Sequence, residues 1–328
     1  MNTIETMRGP VATESLGMTL IHEHIFTVSP DYVANYGVGN WWDEQERVAD
    51  AITKLHAARD AGVRTLVDHT VLGGGRDIRR LLPIAEAVPD LNIVVATGLY
   101  TFDEVPHQYE FRGPGQLWDV PEPMVGDFVR DLTEGIAGTG VKAALIKFCV
   151  EARGVTPGIE RIAGAVAEAH RETGAPISVH TDAAARSGLP ALDLLEKLGV
   201  NPARVLISHA GDSDDLGYLR RLADRGALLG MDRFGLDIYQ SPQVRLRTVV
   251  ELAEAGYARR MALSHDATCF SDYLGCDPEP VRAQFTPNWR YTHVPLDVLP
   301  ALRERGLDED RIRQMTHYNA SIFLTRGV

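Results

Sequence analysis

Met18-Thr19-Leu20-Ile21-His22-Glu23-His24-Ile25 carries a short apolar run straight into a His-x-His pair. The run, residues 18–21, reads as a buried strand. Side chains two apart on a strand share a side. His22 and His24 therefore project together, and Glu23 faces the other way. Two imidazoles at a strand end are a start for a zinc-type site, whose nitrogen ligands bind at about 2.0–2.1 Å. Two ordinary histidines near a strand end satisfy the same letters. The remainder of the chain separates these readings.

Working outward, strand-like and helix-like segments alternate. Apolar runs fall at residues 18–24, 65–70, 92–100, 143–150, 176–182, 204–210, 227–233 and 260–267, which makes eight candidate strands. Helix-period segments rich in Ala, Glu, Arg and Leu lie between them, among them 46–61, 76–87, 158–173 and 214–225. Ala61-Gly62, Thr173-Gly174 and Arg225-Gly226 fit helix C-termini that lead into the next strand. Eight βα units in 328 residues predict an α/β fold, a TIM (β/α)8 barrel in one domain spanning 1–328. The rival is an open doubly wound sheet. Its glycine-rich fingerprint is missing at the first turn, where His-Glu-His stands instead. Residues 1–17, punctuated by Gly9-Pro10 and Leu16-Gly17, read as a hairpin-like lead-in over one end of the barrel. The longest irregular stretches, 26–42, 101–122 and 269–294, all follow strand C-termini, where barrel enzymes place active-site loops.

Composition narrows the function classes. A hydrophobic fraction of 45% supports a large core, and a formal net charge of −12 argues against nucleic acid and against an anionic membrane surface. The three cysteines, Cys149, Cys269 and Cys276, form no CxxC pair, which fits reduced thiols and a cytoplasmic location. Cys269 and Cys276 are near enough in sequence to pair, though nothing requires it. The first ten residues carry no apolar signal core, and no run of about 18 apolar residues occurs, so neither export nor a membrane span is expected.

The strand ends hold the chemistry. The first gives His22 and His24, the fourth Lys147, the fifth His180, the sixth His209 and the eighth Asp266. In a closed barrel these ends meet at one mouth. Any one of the histidines is readily a structural residue; all six groups, each ending an apolar strand, are not explained by packing. Lys147 ends a buried strand, where an unpaired cation is costly. Burial and nearby dications favour its neutral amine, which reacts with carbon dioxide to give a carbamate able to bridge two metals. The alternative is a lysine paired with Glu151.

The order His-x-His, Lys, His, His, Asp resembles the phosphotriesterase branch of the amidohydrolase superfamily, and most closely its phosphotriesterase-like lactonases. Gly73-Gly74-Gly75-Arg76-Asp77, Ala96-Thr97-Gly98-Leu99-Tyr100, Gly211-Asp212, Met231-Asp232-Arg233-Phe234-Gly235 and Ser264-His265-Asp266 resemble family segments, and together they cover nearly the whole chain. The resemblance implies a binuclear metal barrel, a homodimer that hydrolyses lactones and, more weakly, organophosphate triesters. It assigns His22, His24 and Asp266 to the buried metal, His180 and His209 to the exposed one, and Lys147 to an N6-carboxylysine bridge. Tyr100 matches the aromatic residue over the metals, Arg233 the arginine beside the pocket, and Trp289 a wall from the last long loop.

The chemistry implied is attack on a carbonyl by water shared between two dications about 3.5–4 Å apart. Asp266 then passes a proton to the leaving alkoxide, with His265 or Arg233 moving it outward, and Tyr100 bonds the substrate. Zinc heads the metals suited to His and carboxylate donors, followed by Co, Mn and Fe. The expected partner is a small lactone or ester. A phosphotriesterase or other esterase is the alternative activity, and a non-catalytic binding barrel the alternative class. Two departures from the family stand out. The segment 269–289 carries Asp272, Asp277, Glu279 and Arg282, implying a less greasy channel than long-chain lactonases have. His69 ends the second strand, where the family has another residue; it reads either as a support behind the ligands or, preferably, as a polar cap of the barrel.

Overall fold

The computed structural model describes residues 2–275 and 278–327. Eight strands form one parallel sheet: β1 (Met18–Glu23), β2 (Val63–Asp68), β3 (Asn92–Gly98), β4 (Leu145–Val150), β5 (Ile177–Thr181), β6 (Val205–Ser208), β7 (Leu228–Met231) and β8 (Met261–Leu263). Each pairs with its sequence neighbours in order. The seam between β8 and β1 is closed by single bonds. The Asp266 amide donates to the His22 carbonyl (3.0 Å), and the His24 amide donates to the Ala267 carbonyl (2.8 Å). Helices α1 (Glu44–Asp60), α2 (Ile78–Ala87), α3 (Pro123–Thr133), α4 (Pro157–Thr173), α5 (Gly188–Lys197), α6 (Leu216–Asp224) and α7 (Pro242–Glu254) follow successive strands. The chain folds as the TIM barrel that the alternation predicts.

The strands have two apolar faces because both are covered. Leu20, Leu66, Ile93, Ile146, Ile207 and Leu229 join the helices in one core. Ile21, Val67, Val94, Leu145, Leu206, Leu228 and Ala262 form a second, inner cluster. This inner layer is closed below by Ile4 and Leu16 from the lead-in and by Phe323 and Leu324 near the C-terminus. The lead-in is the expected hairpin, with Thr3–Thr6 antiparallel to Gly9–Ala12. Helix α2 starts two residues later than the periodicity suggests. Asp77 caps it by accepting from the Arg80 amide, while Arg76 leaves the helix to pair with Asp131 (2.8 Å).

Two loops over the C-terminal mouth are tied together. Phe26–Thr27 pairs in parallel with Phe270–Ser271, and the Arg47 guanidinium lies 4.1 Å over the Phe270 ring. The second loop continues through α8 (Pro278–Phe285) to Trp289. Gly235, at φ +94°, lets it close in: a Cβ there would meet the Asn288 carbonyl oxygen at 2.4 Å. Among the described residues no helix is long and apolar enough to cross a membrane. Cys149 and Cys269 are buried and form no disulfide among the described residues; Cys276, with any pairing to Cys269, lies outside them.

Candidate metal centre

Two residues beyond the inner apolar layer, the inward positions turn polar. Val67 leads to His69, Leu145 to Lys147, Leu206 to Ser208 and Ala262 to Ser264, and β5 contributes Ser178 and His180. All these side chains are buried. The first strand reaches this layer by a register shift between Leu20 and Glu23, which resets its alternation. His22 and His24 consequently both face the centre.

The six expected ligands come together. His22 Nε2 and His24 Nε2 lie 3.4 and 3.2 Å from Asp266 Oδ1. Lys147 Nζ is 3.3 Å from His22 Nε2. His180 Nδ1 and His209 Nε2 converge to 2.9 Å. His22, His24 and Asp266 form one group able to hold a metal ion. His22, His209 and Asp232 form another by distance alone. We read that second group as a hydrogen-bonded triad, because Asp232 faces the Nδ1 atoms and leaves each Nε2 directed at the centre. Burial pushes the pKa of His22, His180 and His209 down, and Lys147 adds to the effect, so the imidazoles stay neutral. Neutral imidazoles, a carboxylate and a neutral amine are a donor set that fits divalent metal.

Each imidazole has a partner on its far nitrogen. His22 Nδ1 donates to Asp232 Oδ2 (2.8 Å), and His24 Nδ1 bonds Thr70 Oγ1 (2.8 Å). Glu151 takes His180 Nε2 (2.6 Å), so it is not the partner of Lys147. Asp232 Oδ1 accepts from the His209 amide (2.7 Å) and lies 3.2 Å from His209 Nδ1. These contacts fix which nitrogen faces the centre. Lys147 makes no ion pair among the described residues; burial, the largest influence on it, lowers its pKa.

Asp266 is placed by Glu23, the carboxylate that alternation sends away from the centre. Glu23 accepts from Ser264 Oγ (2.7 Å), the His265 amide (2.9 Å), His265 Nδ1 (2.6 Å) and the Ala267 amide (2.7 Å). These bonds hold Asp266 in the left-handed region at φ 55°. His265 Nε2 accepts from the Val294 amide (2.7 Å), so both its nitrogens are engaged outside the centre. That removes His265 from any outward proton path. Burial opposes the charge on Asp266, but its polar surroundings hold its carboxyl well below the usual range, and Arg233 is the lasting positive charge among them. Arg233 Nε donates to Asp266 Oδ2 (3.0 Å) and Nη1 to Asp212 Oδ2 (2.9 Å). Buried Arg245 then binds Asp212 Oδ1 (2.6 Å).

Above the centre opens a cavity of about 470 Å³. Tyr100 and Trp289 both line it. Tyr100 packs edge-on to His180 at 5.5 Å, and burial raises its pKa, so the phenol stays protonated. Trp289 Nε1 donates to the carbonyls of His265 (3.0 Å) and Asp266 (3.1 Å). The expectation of a polar channel is overturned. Tyr273, Leu274, Val281 and Phe285 line the cavity. The charges turn away: Asp272 accepts from the Ser29 amide, Glu279 lies 3.8 Å from Lys54, and Arg282 is buried against the Thr268 carbonyl. Asp277 lies outside the described residues. His69 is not a cap either. It is fully buried, lines the cavity and stacks on His22 with ring centroids 4.0 Å apart.

A model of the phosphotriesterase family matches residues 2–324. The chain is 46% identical to a phosphotriesterase homology protein of Mycobacterium tuberculosis, covering 96% of this chain and 95% of that one. It is 32% identical to the aryldialkylphosphatase of Saccharolobus solfataricus, covering 96% and 97%. The solved structure of the phosphotriesterase from Mycobacterium tuberculosis superposes with a TM-score of 0.95 at 45% identity, covering 99% of this chain and 98% of that one. By sequence and by fold, the chain belongs to the phosphotriesterase family.

Proposed function

We propose that the barrel mouth is the active site of a metal-dependent lactonase that also hydrolyses organophosphate triesters more slowly. One observation carries the reading: four histidines, Asp266 and an unpaired Lys147 converge beneath an apolar cavity with Tyr100 at its edge. His22, His24 and Asp266 would hold one divalent ion and His180 and His209 another, with zinc first among the metals these donors suit. Lys147 would serve both ions once its neutral Nζ attacks carbon dioxide. The N–C bond forms, one proton leaves to water, and the side chain ends in a carboxylate.

Opening a lactone requires a nucleophilic water, stabilisation of the oxyanion and a proton for the departing alkoxide. Bound dications supply an acidified water and polarise the carbonyl. The chain supplies the rest. Asp266 takes the proton of the attacking water and delivers it to the alkoxide. Arg233, donating to Asp266 Oδ2, keeps that carboxylate ionised and aimed. The Tyr100 phenol donates to the substrate's ring or carbonyl oxygen, and Trp289, Leu274 and Phe285 exclude water from its apolar part. A triesterase as the main activity has its own support in the name of the Saccharolobus relative. Measuring kcat/KM for a panel of lactones and a nitrophenyl triester on one metal-loaded preparation tests the ranking. We expect the best lactone to exceed the triester; a triester rate above every lactone reverses it.

A further inference from the structure

Beneath the candidate ligands lies a buried polar layer that the proposed chemistry does not use. His69 Nδ1 is 3.3 Å from Ser178 Oγ, and Ser178 Oγ is 3.1 Å from Ser208 Oγ. The other ring nitrogen, His69 Nε2, is buried and has no hydrogen-bond partner among the described residues. A buried polar atom left unpaired is costly and calls for a partner that arrives later. Lys147 lies close by, on the far side of a shared neighbour. Its Nζ touches His22 Nε2, and His69 stacks on that same imidazole; both His69 and Lys147 line the cavity. An imidazole carries an N–H on at least one ring nitrogen. With the Ser178 hydroxyl donating to Nδ1, that N–H sits on Nε2.

We propose that His69 is a positioning residue whose Nε2–H donates to the carboxylate formed on Lys147, holding the modified side chain in its bridging orientation. This rests on the carboxylysine reading above. It also gives the orphaned nitrogen a partner and accounts for a histidine at a place where a barrel core is ordinarily apolar. The bond is to an anion, and such hydrogen bonds are the stronger kind.

The test follows carboxylation directly, not turnover. Metal-depleted enzyme is reloaded with zinc at graded 13C-bicarbonate, and the carbamate carbon is counted by NMR alongside zinc per chain. His69→Leu removes the donor. The bicarbonate needed for half-maximal carboxylation should rise about tenfold or more, the size of one charge-assisted hydrogen bond. His69→Gln, which returns an amide donor near the Nε2 position, should recover most of that shift. An unshifted His69→Leu overturns the proposal, and so does a Gln variant no better than Leu. If wild-type enzyme itself shows no carbamate carbon, the carboxylysine reading fails first and this one with it. Should His69→Leu not fold, His69→Phe decides, since it keeps a flat ring against His22 but carries no N–H. A rise in half-saturating bicarbonate supports the donor role, and none refutes it.

Discussion

If the centre takes two metal ions as proposed, substituting Asp232 with Asn should weaken the hold on one much more than on the other, and its hydrogen bonds point to which. Asp232 is fully buried, with Gly230 leaving room for its carboxylate: a Cβ there would meet Oδ2 at 2.5 Å. Oδ1 accepts the His209 amide at 2.7 Å, and Oδ2 accepts His22 Nδ1 at 2.8 Å. In the variant the amide oxygen keeps the shorter, backbone contact, because a backbone N–H cannot change its role. The amide nitrogen then faces His22 Nδ1, and two donors meet. His22 relieves this by moving its proton to Nε2, the atom that faces Asp266 and Lys147. A protonated Nε2 cannot ligate. Losing one hydrogen bond to a charged group costs about 1.5–3 kcal/mol, or about 10–100-fold in metal affinity, the range seen when such outer partners are removed. The loss should fall on the ion held by His22, His24 and Asp266. Dialysis against zinc buffered at graded free concentrations, with elemental analysis, would show one ion released about 10–100-fold earlier while the other moves little. Asp232→Ala should release both. Equal release of both ions from the Asn variant, or a shift below about twofold, would refute the tautomer argument.

Asp266→Asn should lower kcat on an alkyl lactone by about 10²–10⁴-fold and lower it less on a nitrophenyl triester, whose leaving group needs no proton; equal losses that track metal content would reduce Asp266 to a ligand. Lys147→Ala should lose one metal and most activity, and short carboxylic acids should partly restore both; full metal content without rescue would remove the bridge. In the metal-free chain, His22, His69, His180 and His209 all have folded pKa values below their ordinary 6.5. As pH falls below that value the unfolded chain takes up protons that the folded chain refuses. Unfolding free energy should therefore fall below pH 6.5, with a slope approaching about 1.4 kcal/mol per pH unit for each such histidine, and Tm with it; a flat Tm between pH 6.5 and 5 would contradict the burial.

The barrel was legible because each of its strands is an apolar run wrapped by helices, and the convergence of the candidate ligands because each run ends in a titratable group. What the letters hid lies where alternation breaks. Strand β8 stops at Leu263, and the chain turns left-handed at Asp266, so reading His265 and Asp266 along one strand placed His265 too near the chemistry. His209 has φ 65°, a similar departure at the end of β6. The charged loop misled for a different reason. Its acidic and basic residues find partners on neighbouring loops, Asp272 on the Ser29 amide and Arg282 on Thr268, which composition cannot reveal.

Glu23 shows why the His-x-His stretch organises more than two ligands. A carboxylate buried beside a strand end is tolerated only with its acceptor sites filled. Here Ser264, His265 and Ala267, all from the segment that carries Asp266, supply the donors. The residue between the two histidines thus draws in the end of β8, across the seam where the two strands share no ladder, and seats Asp266 Oδ1 against the Nε2 atoms of both neighbours of Glu23. Closing the barrel and completing the His22–His24–Asp266 triad are in this sense one set of contacts. A change at Glu23 is therefore expected to reach the centre through the placement of Asp266.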